Sequence, residues 1–175
     1  MSKERVDFFM NTEFNQGPEG LTLISIGMVD ASGNEFYAVS NAFHPEECNR
    51  YVQRKVLPRL GSSPPISPDE IKLGIAQFIG KTRPAFWGYC PSFDWVLIST
   101  LWQGLGNLPS KWPKYSLCLR QLALDHNVPS SAMPPKPGKP HYALEDAHWC
   151  RECHGVLMNR LGRDQILPRR SDTDF

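Results

Sequence analysis

The chain has 175 residues, of which 41% are hydrophobic and 21% charged, with a formal net charge of +1. That balance excludes a largely disordered chain and supplies enough apolar material for one buried core, so a single domain over residues 1–161 with a polar tail at 162–175 is expected. No apolar run approaches the roughly 18 residues of a membrane span, and residues 2–7 are charged rather than leader-like, which points to the cytoplasm and away from the membrane.

Residues 6–11 read as a short apolar strand, followed by a Gly/Pro-containing turn at 15–20. Residues 21–29 and 35–40 make a second and third strand joined by the turn Ala31-Ser32-Gly33-Asn34, an antiparallel meander. Helical spacing over 47–57 stops at Pro58. Ser67, Pro68 and Glu70 form a capping-box signature for a helix reaching about Phe78. Residues 84–89 are apolar enough for a buried fourth strand; Ser92 is expected to cap a helix to about Trp102, with Asp94 in its first turn. A loop over 103–114 leads to a helix predicted at 116–126, and the proline-rich stretch 128–140 leads to a last helix from Ala143 to about Leu161. Its apolar stripe at 143, 147, 150, 153, 157 and 161 should pack on the sheet. The fold class is therefore α/β, a mixed central sheet flanked by helices.

The chemistry concentrates in three places. Asn11 and Glu13 stand two apart on a strand and share a face, with Thr12 turned away. Asp94 starts one helix, Asp146 lies in the first turn of another, and His141 precedes Asp146 by five residues. Phosphodiester hydrolysis needs an activated water and neutralisation of developing charge, which two magnesium ions about 4 Å apart supply. Magnesium takes hard oxygen ligands, so side-chain oxygens from distant elements are the expected protein contribution. An imidazole near neutrality suits the general base.

With Asn11-Thr12-Glu13, Asp94 and His141-x-x-x-x-Asp146 in that order, the chain resembles the DEDD superfamily of 3′-5′ exonucleases, in its histidine-bearing subclass. More narrowly, Phe-Met-Asn-Thr-Glu-Phe and the proline run into His141-x-Ala-Leu-x-Asp146-Ala147 look like ribonuclease AS, a family that trims adenylate-rich RNA 3′ ends. The resemblance implies a ribonuclease H-like three-layer fold and two Mg2+ ions, with Mn2+ as a substitute. It also implies a single-stranded RNA 3′ end as partner, DNA being the alternative, and a homodimer. By the same resemblance residue 11 bridges both metals, and Glu13 and Asp146 hold the one that binds the attacking water. Asp94 then completes the set directly or through water, and His141 takes the proton. The family has Asp where this chain has Asn11, which implies substrate binding with poor cleavage. Two origins stay open, a substitution introduced to trap substrate or a naturally weakened enzyme, and a catalytically silent nucleic-acid binding module is the third reading.

Phe14 is a candidate to stack under the terminal base, Phe93 to line the groove, and the Thr12 backbone to meet the 3′ hydroxyl; core packing is the competing account of Phe14. The basic groups Arg50, Arg54, Lys55 and Arg59, and Arg160, Arg163, Arg169 and Arg170, fit either a phosphate backbone or solvated helix faces. Five scattered cysteines fit reduced thiols. Cys150-Arg-Glu-Cys153-His154 has c-type haem spacing, but both cysteines fall on the apolar stripe, so core packing is the simpler account.

Overall fold

The computed structural model describes residues 5–136, 138 and 141–162. The expected tail beyond Gly162, the basic residues Arg163, Arg169 and Arg170, and Pro137 and Pro140 of the proline run lie outside these.

Alternation along β1 (Arg5–Gly17) sends Phe8 and Met10 to one face and Phe9 to the other, and each face grows its own core. On the first face Phe8, Met10, Ile26 and Met28 meet Ile71, Ile75 and Ile79 of α2 (Pro68–Ile79) and Leu97 and Ile98 of α3 (Ser92–Leu101). On the second, Phe9 and Trp87 meet Leu119 and Ala123 of α4 (Leu119–Asp125) and Cys150, Cys153 and Leu157 of α5 (Ala143–Leu161). Three layers result. The sheet between them runs β3-β2-β1-β4-β5, with β2 (Gly20–Asp30) and β3 (Glu35–Val39) antiparallel to their neighbours, and β4 (Arg83–Gly88) and β5 (Leu117–Cys118) parallel to β1. This is the mixed α/β architecture expected from the sequence. No helix among the described residues is long and apolar enough to cross a membrane.

Four local expectations need correction. β1 does not end at Asn11: its backbone pairs with β2 as far as Gly17↔Gly20, so the turn shrinks to Pro18-Glu19 and the polar pair sits inside the strand. Ladder bonds do not depend on side-chain polarity, which is why hydropathy ended the strand early. The expected 47–57 helix is broken into 3-10 turns around α1 (Arg50–Lys55), because Asn49 accepts from the Val52 N–H and starts the helix afresh. Ser92 is the first helical residue rather than the cap, a place taken by Pro91. The helix predicted from 116 begins at Leu119, since Leu117 and Cys118 pair with Trp87 and Gly88 as a parallel edge. The Ser67/Glu70 capping box forms as predicted.

One close approach fixes α5 on the sheet. A Cβ at Gly27 would collide with the Ala143 carbonyl and the Leu144 nitrogen, so glycine lets the start of α5 touch β2. Gly27→Ala is expected to cost about 3 kcal/mol through overpacking. Thermal denaturation followed by circular dichroism should show Tm falling by roughly 10 °C.

Candidate active site

Strand geometry puts Asn11 and Glu13 on the α5 face of β1, while Thr12 points to the α3 face. A cavity of about 410 Å³ opens on the α5 face, lined by Asn11, Glu13, His141 and Asp146, with Phe14, Tyr51 and Lys136 among its other walls. His141 Nδ1 stands 3.6 Å from Glu13 Oε2.

The five-residue separation of His141 and Asp146 has a mechanical cause. Asp146, in the first turn of α5, reaches back so that Oδ2 accepts the His141 N–H at 3.2 Å. His141 sits at a φ of 70°, which a non-glycine residue adopts only when held. Tyr51 on α1 supplies a further hold: its hydroxyl lies 2.9 Å from His141 Nε2, with the rings perpendicular and 5.5 Å apart. The segment carrying Tyr51 is tied to β1, since Asn15 Oδ1 accepts from both the backbone N–H and the side-chain amide of Asn49.

Asp94 approaches from the other face and does not line the cavity. Its Oδ1 accepts two short bonds, 2.6 Å from the Thr12 N–H and 2.7 Å from the Thr12 hydroxyl. Thr12 is thereby committed to Asp94. Thr12→Val removes one donor and leaves the other, and is expected to cost about 1–2 kcal/mol in chemical denaturation.

The electrostatics are those of crowded acids only partly compensated by nearby donors. Burial, with the charges of Asp146 and Asp94 added, lifts the Glu13 carboxyl to about 8, and a hydrogen bond with the Asn11 side chain pulls modestly the other way. Burial also raises Asp94, opposed by its Thr12 bonds, and raises Asp146, opposed by the His141 N–H and the Lys136 charge. His141 is shifted down, by burial first and then by Arg59, Lys136 and Lys55, against an upward pull from Asp146.

Among the described residues no three His, Cys, Asp or Glu side chains converge as a ready-made metal group. Asp94 is turned into Thr12, and residue 11 offers an amide. The charge chemistry nevertheless fits a divalent cation: two acids, Glu13 and Asp146, border the cavity with Asp94 behind them, and burial pushes each toward its neutral form. Phe93, expected to line the groove, is not among the cavity walls; it is exposed and pairs with Phe14, which is, at 5.4 Å between ring centroids. Cys150 and Cys153 are buried in the second core cluster.

Residues 6–158 match the family model described as the 3′-5′ exoribonuclease Rv2179c-like domain. The chain belongs to that family. A curated member, the 3′-5′ exoribonuclease Rv2179c of Mycobacterium tuberculosis (strain ATCC 25618 / H37Rv), is 36% identical over 148 residues, covering 80% of this chain and 86% of the relative. Among solved structures, the 3′-exonuclease that recognises the histone mRNA stem-loop superposes with a TM-score of 0.64 at 11% identity, over 92% of this chain and 65% of that one. S. pombe Pop2p, solved in a Mg2+- and Mn2+-bound form, gives 0.53 at 12% identity, over 89% and 83%. The fold is thus that of ribonuclease H-like exonucleases, and membership makes the chain an enzyme of the 3′-5′ exoribonuclease class.

Sequence reasoning passed over Tyr51, Lys136 and Asn49. Lys136 is one of two lysines in the proline run, which was a usable signal; its Nζ lies 5.2 Å from the Trp149 ring centroid at the cavity wall. Tyr51 and Asn49 carried no signal, because they reach the site only through the path of a short helix.

Proposed function

We propose that this chain is a divalent-metal-dependent exonuclease that binds the 3′ end of single-stranded RNA and removes nucleoside monophosphates, adenylate-rich ends being the preferred substrate. The observation that carries the reading is the Glu13–His141 pair, set beside Asp146 in one cavity with Asp94 behind it.

Glu13, Asp146 and residue 11 would hold the metal, with Asp94 joining directly or through water; bound there, Mg2+ or Mn2+ supplies charge neutralisation at the phosphate and activation of water. The chain's own residues do the rest. With a metal holding Glu13 in its ionised form, the carboxylate facing Nδ1 at 3.6 Å would favour the tautomer whose proton sits on that nitrogen and leave the Nε2 lone pair to accept a proton from water. The Tyr51 hydroxyl, hydrogen-bonded to Nε2 at 2.9 Å, keeps the ring oriented. Lys136 offers a cation to the phosphate, and Phe14 with Phe93 an aromatic edge to the terminal base. The five cysteines are free, in keeping with a reducing compartment such as the cytoplasm; the homodimer belongs to the reading on family resemblance and is checked by sedimentation.

The test uses 3′-labelled and 5′-labelled RNA and DNA oligomers in magnesium, with the chain and its Asn11→Asp variant. Mononucleotides released from RNA 3′ ends support the reading. Faster release from DNA moves the substrate to DNA, and binding without cleavage by either protein makes the chain a silent binding module. In the Asn11→Asp background, His141→Ala is expected to lower kcat by about 10²–10⁴ in the same assay while RNA binding persists.

A further inference from the structure

The five cysteines are not equivalent. Cys48, Cys150 and Cys153 are buried in hydrophobic clusters. Cys90 is exposed and Cys118 half-buried, and the proposed cleavage chemistry uses neither. The sheet brings these two together: β4 and β5 run parallel with Gly88 opposite Cys118, and Cys90 follows Gly88 by two residues where the chain leaves the sheet. The Cys90 and Cys118 side chains hydrogen-bond to each other, and the Arg120 guanidinium donates to the Cys90 sulfur.

The backbone at Cys90 has a φ of 62°, a left-handed conformation that cysteine adopts only when its surroundings hold it. A Cβ on Gly88 would meet the Pro91 Cβ at 2.6 Å and the Met10 carbonyl at 3.3 Å, so the corner 88–91 is wedged against β1 one residue before Asn11. On one side of Cys90, Tyr89 forms part of the cavity wall; on the other, Pro91 leads into α3 with Asp94 in its first turn. Cys118 is anchored twice, by its place in the β4–β5 ladder and by its sulfur, which accepts the Gln121 N–H at 3.4 Å.

We propose that Cys90 and Cys118 form a redox site, closing to a disulfide when the chain meets a hydroperoxide, and that the closed form slows RNA cleavage. A partly exposed thiol beside a cation is the kind oxidised selectively. Burial lifts the Cys90 thiol, Cys118 adds to the lift and Arg120 draws it back, so the group rests as a thiol. On oxidation the Cys90 sulfur, giving up its proton, attacks one oxygen of hydrogen peroxide; an S–O bond forms, the O–O bond breaks, and the other oxygen leaves as water. The Cys118 sulfur then attacks the sulfenic acid, giving up its proton; the S–S bond forms, the S–O bond breaks, and a second water leaves. Two thiols are oxidised by two electrons and one peroxide is reduced to two waters. A disulfide of about 2.05 Å is far shorter than a hydrogen-bonding contact between sulfurs. With Cys118 anchored, the corner moves, taking Tyr89 and the start of α3 with it. The slowing rests on the exonuclease reading; the disulfide does not.

Peptide mapping tests the site. The chain is treated with hydrogen peroxide, its remaining thiols are blocked, and it is digested with trypsin. The fragments 82–111 and 115–120 carry one cysteine each, Cys90 and Cys118. They should be recovered joined, and separate after dithiothreitol. In Asn11→Asp, peroxide should slow mononucleotide release about tenfold, a small displacement of a catalytic element being able to cost as much as about 10²-fold, and dithiothreitol should restore the rate. Adding Cys118→Ser, which keeps an acceptor for the Gln121 N–H, should leave the reduced rate unchanged and remove the response to peroxide. Fragments recovered unjoined, or joined to peptides of the buried cysteines, overturn the site. Joined fragments with an unchanged rate, or slowing that persists with Cys118→Ser, overturn the control of cleavage. An Asn11→Asp variant that is inactive even when reduced sinks the exonuclease reading and the slowing with it, while joined fragments uphold the redox site.

Discussion

Asn11→Asp is expected to raise the rate of RNA 3′-end cleavage in magnesium by about 10²-fold or more. Residue 11 sits beside Glu13 on the cavity face of β1, where its amide now hydrogen-bonds the Glu13 carboxylate. An amide oxygen is a neutral ligand; a carboxylate adds a full negative charge and a second equivalent oxygen at the position proposed to face both ions. Metal stabilisation of phosphoryl chemistry is worth several kcal/mol, so recovering about 3 kcal/mol of it accounts for the factor. The same change has an opposite effect without metal: a fourth acid joins three that already repel one another, so metal-free Asn11→Asp should be less stable than the parent and regain the loss on adding magnesium. A gain in activity without that metal-dependent gain in Tm would detach catalysis from the acid cluster.

The second large effect concerns Glu13 and pH. Its carboxyl lies at about 8 in the folded chain against an ordinary 4.5, so above 4.5 the folded state holds a proton that the unfolded state has released. More protons bound to the native state means stability falls as pH rises. The contribution is fully present below about pH 4.5 and is lost by about pH 8, a difference on the order of 4 kcal/mol. The raised carboxyls of Asp94 and Asp146 act in the same direction. Glu13→Gln is isosteric and carries no charge, so it should flatten this decline and exceed the parent in stability at pH 8 by a few kcal/mol, measured by denaturant unfolding in chelator. Magnesium should stabilise the parent at that pH and leave Glu13→Gln nearly unmoved. A parent profile that is level between pH 5 and 8 would contradict the picture of only partly compensated acids.

The sheet, its helices and the meeting of Glu13, His141 and Asp146 at one cavity were legible because they rest on local rules. Period-two alternation in residues 6–10 built two cores, the Ser67/Glu70 box marked α2, Asp146 stood at the start of a helix that its apolar stripe located, and Asp94 stood in the first turn of a helix expected to start at Ser92. What escaped depends on contacts distant in sequence. Leu117 and Cys118 became a strand only because β4 offered an edge, and β1 continued through polar residues because β2 ran alongside. Asp94 faces Thr12 rather than the cavity because Thr12 presents two donors to it from the opposite side of β1, a pairing across 82 positions. Tyr51 reaches His141 across 90 positions, and no spacing rule links them.

The central claim is that Glu13 and Asp146 hold divalent ions in the cavity, with Asp94 joining directly or through water. Manganese titration followed by electron paramagnetic resonance of the free ion measures it without relying on turnover. Two ions are predicted to bind Asn11→Asp, and adding Glu13→Gln and Asp146→Asn should abolish the uptake; manganese uptake that these two substitutions leave unchanged would contradict the account.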